Sequence, residues 1–168
     1  VDEDPTSFRG LSYAGQDDRI MYDRRTNAFE SYRPHLFNAR FGDTKVVEVQ
    51  VNPEMTAEEG EFEATKYCRV IGQIPGFLFR DVDTVWLHRG DNPFGGGNRN
   101  LLIHTGQGER YIEDGLLGEV FLHEAAHTSV DAYHKDQPSW RAAQTADRQS
   151  ISSYAAEFPR REDLAETL

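Results

Sequence analysis

Two histidines four residues apart, with a glutamate directly after the first, make His123-Glu124-Ala125-Ala126-His127 the stretch of this 168-residue chain with the clearest chemical potential. Residues four apart share one face of a helix, so both imidazoles can reach a single metal ion. Zinc held by two neutral histidines needs a third protein ligand and an open position for water, and Glu124 stands where it can act on that water. That set is the minimum required to hydrolyse a peptide bond. An accidental match would fall in a loop or turn its histidines to solvent. Here Leu116, Leu117, Val120 and Phe121 precede the motif at helical spacing, so residues 115–133 read as one helix with an apolar face.

The elements that must position this helix can be read upstream of it. Residues 19–23 suggest a short strand, and residues 45–51 alternate apolar and polar from Val47 onward until Asn52-Pro53 ends the pattern, as a half-buried strand does. Thr56-Ala57-Glu58-Glu59 is a capping box, followed at helical spacing by Tyr67, Val70, Ile71 and Ile74, with Gly72 and Pro75 as interruptions. Apolar runs at 82–88 and 101–104 read as strands joined by a flexible loop, 89–98, in which no regular structure is expected. Gly95-Gly96-Gly97 in that loop could cradle phosphate, but such a role requires a helix immediately after it and a nearby lysine; a strand follows instead, which disfavours nucleotide binding. The strand at 101–105 directly precedes the metal helix and is expected to form the sheet edge on which an extended substrate lies. Residues 1–19 are polar and rich in Asp, Gly and Ser, predicting a loosely held arm, and 140–147 read as a partly covered connector. The fold class is α+β: a single domain with a small mixed sheet packed on an active-site helix and a backing helix.

Composition narrows the partners. A formal charge of −11 and a pI near 4.9 argue against nucleic acid and anionic membrane surfaces, which require clustered Lys and Arg, and leave basic or neutral polypeptide substrates open. No apolar run approaches the roughly 20 residues that span a bilayer. A start at Val1 rather than Met fits removal of a secretion signal, so the expected location is extracellular. Cys68 is the single cysteine; it can form no internal disulfide, and its place in a helix predicts a buried thiol.

Candidates for the third ligand lie downstream of His127. The metzincin pattern would place a histidine six residues on, where Tyr133 stands, and a glycine where Val130 stands, leaving His134 out of register. Asp131 is four residues after His127, but three ligands along one continuous helix rarely converge, so Asp131 reads as a residue behind the ligands or at the helix end. Glu162 and Glu166 have the spacing of one helix face near the C-terminus.

The motif and this acidic pair together resemble the zinc peptidases called gluzincins, whose ligand glutamate stands on a second helix with an acidic residue four positions later. Ser153-Tyr154-Ala155 and Glu162-Asp163-Leu164-Ala165-Glu166 resemble most closely the lethal-factor-like peptidases, although one extra residue separates Tyr154 from Glu162 and the spacing from His127 to Glu162 is shorter than in those relatives. The likeness covers roughly the last 55 residues, with H-E-x-x-H its most specific part. It implies a zincin-like domain with about one Zn2+ per chain held by His123, His127 and Glu162. It further implies that Glu166 orients a zinc-bound histidine and that Tyr154 donates to the developing oxyanion. The function so implied is a zinc metalloendopeptidase with Glu124 as general base. The alternatives are a silent binding or assembly protein on the same scaffold and a non-peptide metallohydrolase. His35, His88 and His104 read as structural, with a substrate contact conceivable for His104 alone. The chain ends six residues past Glu162, so the ligand helix is expected to have few neighbours and the natural C-terminus to extend further.

Overall fold

Val47, Val49 and Val51 line one face of a strand while Glu48 and Gln50 line the other, and the architecture is built on that alternation. The computed structural model describes residues 5–147, 151–159 and 162–167; residues 1–4 of the expected arm, and Arg160 and Arg161 of the C-terminal segment, lie outside the described residues. The strands are β1 (Phe8–Gln16), β2 (Arg19–Asp23), β3 (Ala28–Tyr32), β4 (His35–Phe41), β5 (Lys45–Val51), β6 (Thr84–His88), β7 (Gly95–Gly97) and β8 (Asn100–His104). The helices are α1 (Ala57–Ile71), α2 (Gly76–Phe79), α3 (Thr105–Glu113), α4 (Leu117–Ala126), α5 (Ala132–His134), α6 (Pro138–Ala146), α7 (Ser153–Glu157) and α8 (Asp163–Thr167), with a π-helical turn, His127–Asp131, between α4 and α5.

Six strands make a mixed sheet in the order β1-β4-β5-β6-β8-β7, parallel where β5 meets β6 and β6 meets β8 and antiparallel elsewhere. The fold is thus α+β with a mixed sheet. The valine face of β5 receives α1, whose capping box is complete: Thr56 Oγ1 accepts from the Glu59 amide at 3.2 Å, and Glu59 Oε2 accepts from the Thr56 amide at 2.8 Å. Helix α1 buries Ala64, Tyr67, Cys68 and Ile71, and burial pushes the Cys68 thiol up to about 12, as befits a packed, unreactive cysteine. A separate hairpin, β2 with β3, covers part of the opposite face; Arg19 Nε donates to Glu48 at 2.9 Å, and the Phe29 ring meets Trp86 edge-on. No helix among the described residues is long and apolar enough to cross a membrane.

Several expectations are corrected. Residues 8–16 do not form a loose arm: β1 pairs with β4 from Phe8 opposite Phe41 to Gln16 opposite His35, and Ser7 ties its start to the end of α1 through Gly72 O at 2.8 Å. It is an edge strand with irregular register, so its two-residue period is blurred. The 89–98 segment contains β7, which pairs antiparallel with β8. The sheet edge is therefore β7, while all five residues of β8 are buried inside the sheet. Residues 138–146 form α6 rather than a connector, starting at Pro138, whose missing N–H a first-turn position does not need. Helix α3 forms in spite of its two glycines.

Candidate metal centre

Helix α4 is anchored by Leu117, Phe121 and Ala125, buried at four-residue intervals, which leaves His123 and Glu124 on the side facing a cleft of about 1000 Å³. The helix then widens into the π turn, a feature with no sequence signal in the motif itself. Thr128 locks that turn to the sheet: its hydroxyl accepts from the Gly97 amide at 2.8 Å and lies 3.0 Å from the carbonyl oxygens of both Asn100 and Glu124. Gly96 explains the triple glycine. A Cβ there would sit 2.0 Å from the Glu124 carbonyl oxygen, so only glycine lets β7 press against the motif helix.

Three donor atoms converge at the cleft. His123 Nε2 and His127 Nε2 are 3.1 Å apart, Glu162 Oε2 is 3.2 Å from His127 Nε2, and it is 3.3 Å from His123 Nε2. The His127 Nδ1 atom lies 2.6 Å from Asp131 Oδ2, close enough for the ring N–H to donate to that carboxylate, which leaves Nε2 with its lone pair toward the triangle. Burial disfavours a charged His127, but the Asp131 hydrogen bond and charge outweigh it and lift the imidazole above its ordinary pKa. A tetrahedral zinc with bonds of about 2.0–2.1 Å sets its ligand atoms about 3.3 Å apart, so the observed triangle fits that ion. Glu162, only 1% exposed, holds its carboxylate within 3.3 Å of both ring nitrogens, where one cation can meet all three donor atoms.

Glu162 precedes α8, and its amide donates to Phe158 O at 2.9 Å. Leu164, Ala165 and Ala155 are buried, and α8 packs on α4 and on the π turn, so the ligand helix is better held than its position in sequence suggested. Glu124 lines the same cleft; burial raises its carboxyl above the usual carboxylate range, against the pull of the two histidines. Tyr154 and Glu166 line it as well. The Glu166 carboxylate accepts the Ser152 hydroxyl, which in turn caps α7 by accepting from the Ala155 amide. Asp131 is the carboxylate that meets His127 Nδ1.

His134 is exposed at the end of α5 and stands apart from the triangle. His88 and His104 are fully buried, which removes His104 from substrate contact. His35 meets Tyr13 Oη at 3.2 Å through Nδ1. Sequence reasoning did not find Arg24, in the turn between β2 and β3, which lines the cleft; no motif links a residue in that turn to the distant helix α4. The triple glycine was a usable signal for β7, since adjacent glycines mark places where two backbones approach closely. Neither protein-family models, nor curated proteins, nor solved structures match this chain.

Proposed function

We propose that the chain is a zinc-dependent metallopeptidase of the gluzincin type, a zincin-like domain acting on polypeptides. The observation that carries this reading is the triangle of His123 Nε2, His127 Nε2 and Glu162 Oε2, with separations of 3.1 to 3.3 Å, open to a cleft that Glu124 also lines. Zinc bound by these three residues supplies a Lewis acid that lowers the pKa of its water toward about 7. Glu124 takes the proton of the attacking water and delivers it to the leaving amine. Asp131 holds His127 in the tautomer that presents Nε2. Glu162 contributes a negative charge that offsets part of the metal's. Tyr154, on the cleft wall, is the donor to the developing oxyanion. The outer edge of β7, against the motif helix, offers main-chain groups to an extended substrate.

The test is Glu124→Gln. The variant retains about one zinc per chain while peptide hydrolysis falls by roughly 10²- to 10⁴-fold. Wild-type turnover in that variant contradicts the assignment, and a wild-type protein that holds zinc but cleaves no peptide of a broad library is a binding protein instead.

A further inference from the structure

Arg24 stands at an unusual place for a cation in this protein. The chain has 29 acidic residues against 18 Lys and Arg, so basic side chains readily find carboxylates. Among the half-buried arginines, Arg19 pairs with Glu48 and Arg141 with Asp136, whereas Arg24 has no acidic partner within ion-pair distance among the described residues. Its neighbour Arg25 is fully engaged, by Asp23, Glu54 and the carbonyl of Arg89. Arg24 instead lies against β7: a Cβ on Gly95 would be 2.8 Å from its Nη2. From there the side chain borders two cavities, the metal cleft and a smaller one of about 240 Å³ whose walls include Tyr22, Phe29 and Trp86.

A guanidinium presents a planar fork of donors that matches a carboxylate bidentately, and partial burial makes such a pair stronger than one in open water. We propose that Arg24 is a specificity-determining residue that holds a carboxylate of the bound polypeptide, either its C-terminus or an Asp or Glu side chain, where the metal cleft meets the aromatic cavity. This rests on the reading of the cleft as a polypeptide site. A guanidinium that served only main-chain carbonyls would act on all peptides alike, and the experiment separates the two roles.

The Glu124→Gln protein lets affinity be measured without turnover. Peptides of one length are titrated by calorimetry in four forms: free C-terminal acid, C-terminal amide, amide with internal Asp or Glu, and amide with internal Asn or Gln. Adding Arg24→Gln weakens the carboxylate-bearing form by about tenfold or more and leaves the neutral amides unchanged, while Arg24→Lys retains part of the affinity. Whichever arm responds, terminal or internal, identifies the source of the carboxylate. Equal weakening of all four forms, no weakening of any, or no binding of carboxylate-bearing peptides overturns the proposal. If wild-type protein discriminates carboxylates through Arg24 yet cleaves none of these peptides, the hydrolytic reading fails and the Arg24 assignment stands.

Discussion

His88 and His104 face each other across parallel strands β6 and β8, ring centroids 5.6 Å apart and planes 26° from parallel, whereas His123 and His127 meet edge to face at 4.6 Å and 89°. The first pair is sealed in the interior. His88 Nδ1 lies 3.0 Å from the Asn52 amide nitrogen, which donates to it, and burial pushes the ring down to about 4 although Asp23 Oδ2 is only 3.8 Å away. The second pair opens on a cleft, has one nitrogen fixed by Asp131, and turns both Nε2 atoms toward Glu162. Contact between two imidazoles is thus not what makes a metal site. The proposed site rests instead on two Nε2 atoms converging with a carboxylate, at ligand spacing, on the wall of a cleft.

The largest contrast is in metal retention. His127→Ala removes one of three protein donors and takes zinc content after dialysis from about one per chain to near zero, while His104→Ala leaves it unchanged. Zinc measured by atomic emission decides this, and equal retention in both variants contradicts the distinction between the pairs. Next comes acid sensitivity, which belongs to the buried pair. The folded pKa of His88, about 4, lies below the ordinary value of 6.5, so the fold stabilises the neutral ring. Its contribution is complete above the ordinary value and is lost as pH falls from there toward about 4, a loss on the order of 3 kcal/mol. Urea unfolding of metal-free protein at pH 7 and pH 4.5 should show His88→Gln losing less stability over that interval than wild type; parallel losses would remove His88 from the account.

Two smaller effects sharpen the assignment of supporting carboxylates. Asp131→Asn weakens zinc binding about 10- to 100-fold, because a neutral amide replaces the charged acceptor that sets the His127 tautomer. Glu166→Gln has the smaller effect on the same competition assay with a chelating dye, since its carboxylate holds Ser152. A reversed ranking returns the orienting role to Glu166.

The residues of α1, β5 and α4 were legible from periodicity and those of β6 and β8 from short apolar runs, and the capping box at Thr56 and Glu59 marked a start that the structure reproduces bond for bond. Strands β1 and β7 were not legible: one is a bulged edge strand exposed over much of its length, and the other is three glycines with no side-chain pattern to read. In the site, His123, Glu124, His127 and Glu162 could be named from residue types and a family likeness. Asp131 and Glu166 each lie four residues after a candidate ligand, so spacing alone could not rank them as partners for a histidine; the π turn and the Ser152 bond do. Arg24 depended on a hairpin folding over β7, a contact between distant segments.

The most direct test of the central claim is an anomalous difference map, from crystals grown with zinc, collected above and below the zinc absorption edge. One strong peak is expected within coordination distance of His123 Nε2, His127 Nε2 and Glu162, with Asp131 still on His127 Nδ1. A peak at His88 and His104, or a map with no peak at the triangle while the side chains keep their places, contradicts it.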